Sequence, residues 1–587
     1  MNIPRARIRP TSLVAALAAI SLLGGAAAAR IAPRNPGHAR HFGYITMKDG
    51  VQLAYVAYLP RAKGTFPAVL QYDPYQGGGS TLGWPDSLWV KNGYAVVIAS
   101  VRGTGCSQGV FHLFGHHEGP DGAAIIRWIG AQPWSDRRVG MIGVSYAGFT
   151  QILVAAQHPR LLRAITPSAV AANTYSQVAY PGGIFNAAFI AWWSLHGQPL
   201  AAAQGVKTRI GWGDRECEGN YKAHPASSLF LHARAHALFG PWWQARSLLR
   251  EIRRVDVPTF ISGTWQDDMI MATGTTDLYE RLQGPKRLSM SPGGHGWLFL
   301  QPAFQQRLIQ WMNRWVKGVH NGIGAQPPVT IYWEPRAGLP PAGGWATHYA
   351  GWPPKRTRLR TLWLTSARTL SAVPPGDSPA DGRGLSYTYP TGVELTGNNT
   401  EFAVPPDPNG SLAWTSAPFH RDFTILGSVQ LRFYAAAQNP DTDFEFILQD
   451  VYPNGDVRYL QRGFLRASLR GIDRRRSTAD HLLHAYRRAA DLIPGRIYEF
   501  RLSLPPLGAV LRKGQRLQLA LLAPSPIPQP SWGLVPLDMP GENTVFTSAR
   551  FPSTIVVPTI PGARAKRAPP PCGSMPLQPC RRPAAHR

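Results

Sequence analysis

Hydrophobic residues follow two different patterns along this chain, and the change between them falls near residue 328. In the first part, short apolar runs alternate with segments of helical spacing, which predicts strand–helix–strand units and a mostly parallel sheet. The predicted strands are 41–47, 51–59, 66–72, 94–100, 138–144, 164–167, 257–263 and 287–291, and the predicted helices are 121–129, 151–158 and 301–317.

This alternation is interrupted over residues 169–250, where alanine and aromatic residues dominate, and we expect a largely helical insertion there. Beyond residue 328, short alternating runs are separated by Pro, Gly, Asn and Asp turns. Regularly spaced short strands of this kind are typical of a β-sandwich such as a jelly roll. The runs are 329–333, 360–364, 429–435, 445–451, 498–504 and 516–522.

Both termini differ from the globular middle. Basic residues precede an apolar run from Leu13 to Leu23 and four consecutive alanines, so residues 1–29 are predicted to be a signal peptide. The run is short for a membrane span, although a retained anchor is the alternative. We therefore expect a secreted or periplasmic protein. Residues 557–587 are rich in Pro and Arg and are expected to be disordered.

The formal net charge of +28 over 587 residues raises the question of nucleic-acid binding. The basic residues are dispersed, however, and their longest run is Arg474–Arg476. Neither a zinc-finger spacing nor an RNA-recognition signature is present. We therefore expect no nucleic-acid partner, whereas electrostatic attraction to an anionic cell surface stays open.

The four cysteines fit an exported protein with up to two disulfides. Cys572 and Cys580 are close enough in sequence to close a small loop, whereas pairing of Cys106 with Cys217 is only one possibility. None of the four has metal-ligand spacing.

The apolar run Val139–Val144 ends abruptly at Ser145, and small residues flank the serine at Gly143, Ala147 and Gly148. This layout is typical of a nucleophile elbow, a sharp strand-to-helix turn that presents a hydroxyl at the end of a sheet. The usual G-x-S-x-G pattern is shifted, because alanine stands where the second glycine is expected. Taken alone, the segment also fits an ordinary strand-to-helix turn.

A serine nucleophile needs a base, and the base needs an orienting acid. With an elbow the chain order is serine, acid, histidine, and each partner lies just after a strand. The predicted strand 257–263 leads into Asp267 and Asp268, and the strand 287–291 leads into His295. The two acids compete for one role because adjacent side chains diverge, and we prefer Asp267.

An acyl-transfer transition state carries an oxyanion that needs hydrogen-bond donors. The backbone amide of Tyr146, directly after the serine, is one candidate, and the phenol of Tyr75 in an early loop is the second. A loop tyrosine can also simply be packed, so residue chemistry alone leaves Tyr75 open.

The segment with His112, His116, His117 and Glu118 contains ligand-type residues, but it lacks an H-E-x-x-H pattern and reads as a solvated or locally hydrogen-bonded cluster. A dinucleotide fingerprint is also missing. We expect neither a metal nor an organic cofactor.

These elements predict an α/β fold. An α/β-hydrolase domain of residues 30–168 and 251–325 carries a helical cap, 169–250, and is followed by an all-β jelly-roll domain, 326–556.

The chain further resembles the CocE/NonD hydrolases, a family that includes cocaine esterase, X-prolyl dipeptidyl peptidases, glutaryl acylases and α-amino acid ester hydrolases. The elbow of that family reads G-x-S-Y-x-G, which accounts for the position of Gly148. The resemblance is carried by residues 74–75, 102–105, 132–135, 143–148 and 265–267, and in the second half by 440–444, 450–455, 462–463 and 466–468.

By this resemblance, Ser145 is the nucleophile, Asp267 the orienting acid and His295 the general base. The resemblance also implies Tyr75 and the Tyr146 amide as oxyanion donors beneath a helical cap. The chain departs from the family at Ser100, where an aspartate is common. It also has one residue more than the family's G-W-Y-D in the segment that ends at Asp267.

The sequence thus predicts a serine hydrolase that cleaves ester or amide bonds of a bulky acyl substrate, a small molecule or a short peptide, through an acyl-enzyme. An X-prolyl dipeptidyl aminopeptidase is the alternative, and it needs carboxylates for the substrate ammonium. Those candidates are Asp214, Glu216, Glu218 and Asp268. A non-catalytic cell-surface or carbohydrate-binding protein is the alternative of another class. The substrate and the oligomeric state are not decided by the sequence.

Overall fold

A computed structural model describes residues 38–582, except for residue 84 and the segments 226–227, 338–342, 377–382, 391–405, 479–480, 525–532 and 562–564. The predicted signal peptide therefore lies outside the described residues. The helices α1 to α10 are Asp86–Lys91, Glu118–Ala131, Tyr146–Ala155, Ala187–Trp192, Gln198–Gly211, Cys217–Lys222, Leu229–Ala235, Pro241–Gln244, Ala272–Arg281 and Pro302–Trp315.

Strands β1 to β10 form one sheet, and they are His38–Thr46, Gln52–Pro60, Phe66–Asp73, Ala95–Ser100, Ser135–Val144, Leu162–Ser168, Thr259–Thr264, Lys286–Ser291, Val329–Pro335 and Gly343–Tyr349. Strands β11 to β24 form the second, and they are Arg358–Leu364, Thr369–Ser371, Leu385–Tyr389, Ser411–Ser416, Phe423–Gly427, Gln430–Ala437, Asp443–Val451, Val457–Arg466, Tyr498–Ser503, Leu507–Leu511, Arg516–Leu522, Gly541–Phe546, Thr554–Thr559 and Cys580–Arg581.

The first sheet has the strand order β1-β2-β4-β3-β5-β6-β7-β8-β9-β10. The strands from β4 to β9 along this order are parallel, whereas β1, β2 and β10 pair antiparallel to their neighbours. Because parallel strands end at the same edge, the loops after β3, β5, β7 and β8 meet there. These loops carry Tyr75, Ser145, Asp267 and His295.

Burial on both faces of this sheet explains its continuous apolar strands. In β4 every residue is buried, and alternate side chains enter different cores. Val97 contributes to the core that contains α2 and α3, whereas Val96 and Ile98 contribute to the core that contains α10. The predicted α/β domain with a helical insertion, followed by an all-β domain, is confirmed.

One predicted strand belongs to a different sheet than expected. The run 329–333 was assigned to the C-terminal domain, but β9 pairs parallel to β8, and β10 then pairs with β9. The first sheet therefore extends to Tyr349. A short apolar strand carries no local signal for the sheet that it joins, because its partners are set by tertiary contacts.

In the second domain, strands that are distant in the strand order pack against each other. Phe433 of β16 contacts Phe444 and Phe446 of β17, with ring centroids 5.1 and 4.8 Å apart, although these strands are far apart in the strand order. Side chains of two sheet faces thus share one core, as in a sandwich. No described helix is both long and apolar enough to cross a membrane.

The expected disorder of the C-terminal tail is wrong for residues 557–561, where β23 continues to Thr559, and for residues 565–582. A disulfide joins Cys572 to Cys580, and β24 pairs with β18. Met575 and Gln578 are buried. A proline-rich composition suggested a solvated chain, but a disulfide loop with a few apolar contacts offsets the entropy that such a segment loses on folding.

Candidate active site

Ser145 stands at the sharp turn between β5 and α3. Its backbone has φ 60° and ψ −129°, a conformation that residues other than glycine rarely adopt. The amide of Ser145 donates to the carbonyl of Ser168 at 2.9 Å, and the carbonyl of Ser145 accepts the amide of Gly148 at 2.7 Å. Neighbouring backbone thus holds the strained serine at the sheet edge. The helix begins at Tyr146, five residues earlier than the pattern predicted.

Steric contacts explain why the second glycine of the elbow stands at position 148. A Cβ on Gly148 would lie 2.6 Å from Val170 Cγ1 and 2.8 Å from the carbonyl oxygen of Ser168. A Cβ on Gly143 would lie 2.4 Å from the methyl group of Ala147. Glycine is therefore required at 143 and 148, whereas position 147 has room for a methyl group.

Asp267, and not Asp268, contacts the histidine. Asp267 Oδ2 lies 2.8 Å from His295 Nδ1, and Oδ1 accepts the amides of Met269 and Ile270 at 3.1 and 2.9 Å. The Asp267 side chain is almost fully buried, whereas that of His295 is 19% exposed. Asp268 turns away and pairs with Arg462 at 3.0 Å. The competition between the two acids is thus resolved by geometry.

The hydroxyl of Tyr75 lies beside the serine. It accepts the indole N–H of Trp193 at 3.2 Å, and hydrogen-bond interactions with the Ser145 side chain and the Tyr146 backbone also act on its pKa. Burial raises the pKa of Tyr75, and these hydrogen bonds offset part of the rise. The phenol therefore stays protonated and can donate.

The cap fixes the loop that carries Tyr75. Gln198 Nε2 donates to the carbonyl of Pro74 at 2.8 Å. The backbone of Gly205 approaches so closely that a Cβ on Gly79 would lie 2.1 Å from the Gly205 carbonyl oxygen. The fully buried Arg209 donates to the carbonyl of Gly78 at 3.1 Å. The disulfide between Cys106 and Cys217 adds a covalent link between core and cap.

Residues 49–297 match the S15 family of X-Pro dipeptidyl-peptidases, and residues 321–555 match the C-terminal non-catalytic domain of X-Pro dipeptidyl-peptidases. A Mycobacterium bovis protein provisionally named a serine esterase is 26% identical to this chain, over 83% of it and 91% of the relative. Cocaine esterase of a Rhodococcus species is 25% identical, over 73% of this chain and 82% of the relative. A CocE/NonD hydrolase of Staphylococcus aureus has the same fold, with a TM-score of 0.74, 19% identity and coverage of 89% and 94%.

The chain is a serine hydrolase with an S15 domain and an X-Pro dipeptidyl-peptidase C-terminal domain, and it has the fold of the CocE/NonD hydrolases. The resemblance read from the sequence motifs is thereby confirmed.

The C-terminal domain of the hydrolase holds the loop that follows β7 and carries Asp267, which we call the acid loop. Gln266 Nε2 donates to the carbonyl of Leu460 at 2.8 Å, and Gln461 Nε2 donates to the carbonyl of Trp265 at 2.7 Å. Leu460 and Gln461 both belong to β18, which also carries Arg462. Sequence reasoning missed these contacts because a glutamine in a strand carries no signal for a partner in another domain.

Sequence reasoning also missed a buried carboxyl group beneath the elbow. The Tyr146 ring stacks parallel to Trp193, with centroids 6.0 Å apart, and its hydroxyl donates to Glu118 Oε1 at 2.6 Å. Burial raises the pKa of Glu118 to about 8. The other carboxyl oxygen, Oε2, has no hydrogen-bond partner among the described residues. Glu118 was grouped with nearby histidines, but its contact is to the residue that follows Ser145.

One group of ligand-type residues comes close enough to hold a metal ion within the described part of the chain. It consists of Asp456, Cys572 and Cys580. The two cysteines are joined in a disulfide, so their sulfur atoms are not thiolates that could bind a metal. The sheet edge with Ser145 instead brings together residue types that nucleophilic catalysis uses, namely Tyr75 and a His295 side chain in contact with Asp267.

We predict that Glu118→Gln removes a pH-dependent loss of stability. The pKa of Glu118 is about 8 in the folded protein and near 4.5 in an unfolded chain, so the unfolded state alone releases the proton between these pH values. Folding stability therefore falls as pH rises through this window. The amide mimics the protonated acid, so Tm should match the parent at pH 4.5 and exceed it by about 3 °C or more at pH 8.

Scanning calorimetry from pH 4.5 to 9 measures this difference. Glu218→Gln is the matched control, because Glu218 is a surface residue paired with Lys222, and its Tm curve should follow the parent. A Glu118→Gln curve that runs parallel to the parent at every pH contradicts the prediction.

Proposed function

We propose that the hydrolase cleaves ester or amide bonds of a bulky acyl substrate through an acyl-enzyme on Ser145, with His295 as general base and Asp267 as orienting acid. The observation that carries this proposal is the 2.8 Å contact between Asp267 Oδ2 and His295 Nδ1, at the sheet edge where the elbow presents Ser145. The aromatic side chains of the cap, among them Trp193, favour an apolar acyl or leaving group.

In this mechanism, the Nδ1–H of His295 donates to Asp267, which leaves Nε2 free to accept the proton of the Ser145 hydroxyl. The serine oxygen attacks the substrate carbonyl and forms a tetrahedral intermediate. Its collapse expels the leaving group, which takes the proton from His295. The same imidazole then activates water, which hydrolyses the acyl-enzyme.

The negative oxygen of the intermediate needs donors that are already in place. The Tyr75 hydroxyl and the Tyr146 amide lie close to each other beside Ser145. The indole of Trp193 donates to the Tyr75 oxygen and polarises the phenol, so that its O–H becomes a stronger donor. We therefore assign Tyr75 and Tyr146 to the oxyanion hole and Trp193 to its support.

The nucleophile is tested with Ser145→Ala. The variant should lose hydrolysis of a p-nitrophenyl ester by about 10⁴-fold or more, and it should not react with a fluorophosphonate probe. The parent should carry one fluorophosphonate adduct, located on Ser145 by mass spectrometry. Ser289→Ala, at a buried serine of β8, is the control and should keep both activities. An unlabelled parent would favour a non-catalytic binding protein.

The oxyanion donors are tested with a double-mutant cycle. We expect Tyr75→Phe to lower kcat by about 10²-fold and Trp193→Phe by about fivefold, since one neutral hydrogen bond contributes about 1 kcal/mol. The double variant should equal Tyr75→Phe, because the indole acts only through the phenol.

Trp192→Phe serves as the matched control for this cycle, since Trp192 is the neighbouring cap residue and contacts Phe189 instead. Independent, multiplying effects of Tyr75→Phe and Trp193→Phe would refute the assignment of Trp193.

The alternative X-prolyl dipeptidyl aminopeptidase activity requires a carboxylate for the substrate ammonium. Asp268 is paired with Arg462, and Asp214 is paired with Arg209. The guanidinium of Arg246 lies near Tyr146 and Glu118, so a positive charge is present on that side of the site. These charges favour an esterase or acylase over an enzyme that binds an ammonium group.

N-acetylation of the substrate separates these two activities. Blocking the amine of Ala-Pro-p-nitroanilide should change kcat/KM of this enzyme by less than about threefold, while an ammonium-binding site would lose about 30-fold or more. A p-nitrophenyl ester assayed in parallel confirms that the preparation is active. A loss of about 30-fold would favour the dipeptidyl aminopeptidase.

We also propose that the protein is exported, as the basic and apolar pattern of residues 1–29 predicts. The two disulfides, Cys106–Cys217 and Cys572–Cys580, support this proposal because such bonds persist in oxidising compartments. N-terminal sequencing of the mature protein, expected to begin near residue 30, is the check.

A further inference from the structure

The disulfide loop of residues 572–580, which we call the C-terminal clamp, is docked on the second domain. Cys580 pairs with Arg458 in the ladder between β24 and β18, and the amide of Tyr459 donates to the carbonyl of Pro579 at 3.0 Å. The buried Met575 accepts a weak hydrogen bond from Arg458. The clamp is therefore anchored to β18, the same strand that holds the acid loop.

One side chain of the clamp reaches the loop that follows β8 and carries His295, which we call the histidine loop. A Cβ on Gly294 would lie 2.0 Å from Leu577 Cδ1 and 3.0 Å from its Cγ, so Leu577 covers the Cα of the residue directly before His295. The backbone of Leu577 has φ 49°. A leucine rarely adopts this conformation, and its cost is offset by the surrounding anchors.

The same loop is also held by hydrogen bonds. Thr264 Oγ1 donates to the carbonyl of Gly294 at 2.8 Å, and Gln266 Oε1 accepts the amide of Gly293 at 3.1 Å. Gly294 is therefore contacted both by the end of β7 and by Leu577.

The loop itself supplies little rigidity. Gly293 and Gly296 have φ of 136° and 70°, and both positions need glycine for that reason. Glycines also give the unconstrained loop more conformations than other residues would. The orientation of His295 between them therefore depends on contacts from outside the loop.

We propose that the C-terminal clamp positions the catalytic base, with Leu577 as a positioning residue that acts on His295 through Gly294. This inference rests on the proposed role of His295. Leu577 takes no part in the chemistry. It removes backbone freedom that would let the imidazole leave its alignment with Asp267, and small displacements of catalytic groups lower rates steeply.

The proposal is tested with Leu577→Ala in the full-length protein. We expect kcat for a p-nitrophenyl ester to fall by about 10-fold or more while KM stays within about twofold, because the lost alignment affects the chemical step. The rate of fluorophosphonate labelling should fall by a similar factor. Leu577→Met keeps the apolar contact and should restore most of both rates.

Met575→Ala is the matched control, because Met575 is buried in the same clamp and accepts a hydrogen bond from Arg458 of β18. It should lower Tm by at least as much as Leu577→Ala and keep kcat. If both variants lose kcat in proportion to their Tm, the clamp has only a structural role, and the proposal is overturned. An unchanged kcat in Leu577→Ala overturns it as well.

A second variant removes the disulfide of the clamp and keeps the Leu577 side chain. Cys572→Ser combined with Cys580→Ser leaves Cys106–Cys217 intact, which a reducing agent would not, and it should reproduce the fall in kcat at unchanged KM. Failure of the clamp proposal can be told from failure of the proposed function. In the first case the parent is still labelled at Ser145, and in the second it is not.

Discussion

The backbone strain at Ser145 is the constraint around which this hydrolase is built. A serine at positive φ is unstable by itself and persists only when its neighbours determine it. Here the carbonyl of Ser168 accepts the serine amide, and Gly148 lets β6 approach the first turn of α3. This close packing explains why the second glycine of the elbow stands one residue later than usual. It also fixes where every partner of the serine has to be.

Each of the three partner loops is held by a different part of the chain. The cap holds the Tyr75 loop through Gln198 and Arg209. Strand β18 of the second domain holds the acid loop through hydrogen bonds with Trp265 and Gln266. The histidine loop is held by the end of β7 and contacted by Leu577. The sheet sets the position of each loop, and the added parts restrict its motion.

Much of this fold could be predicted from sequence, because two physical signals are local. Buried parallel strands read as apolar runs, as in Ala95–Ser100, and short strands between turn residues indicated the second domain. The order of Ser145, Asp267 and His295 after three such strands was visible without coordinates. The pairing of each strand with its neighbours was not visible, because it depends on tertiary packing. The pairing of Val329–Pro335 with the first sheet was therefore not foreseen.

The residues of the site were also predicted in part, and the prediction failed where tertiary packing decides the contacts. Residue chemistry named the nucleophile, the base and two acids, but only geometry shows that Asp267 contacts His295 while Asp268 pairs with Arg462. Glu118 was read as part of a polar cluster, because a sequence does not show burial. The tail was read as disordered from its composition, although a disulfide between cysteines 8 positions apart is enough for a loop with a docked side chain.

The glycines of the histidine loop show why the added parts matter. Gly293 and Gly296 give the backbone the positive φ that the turn requires, and the same freedom costs entropy when the loop is ordered. A rigid wall supplied by another part of the chain lowers that cost at the moment of reaction, because the loop is already ordered before substrate binds. In this hydrolase, the second domain and its disulfide loop thus take part in preorganisation without contributing a reacting group.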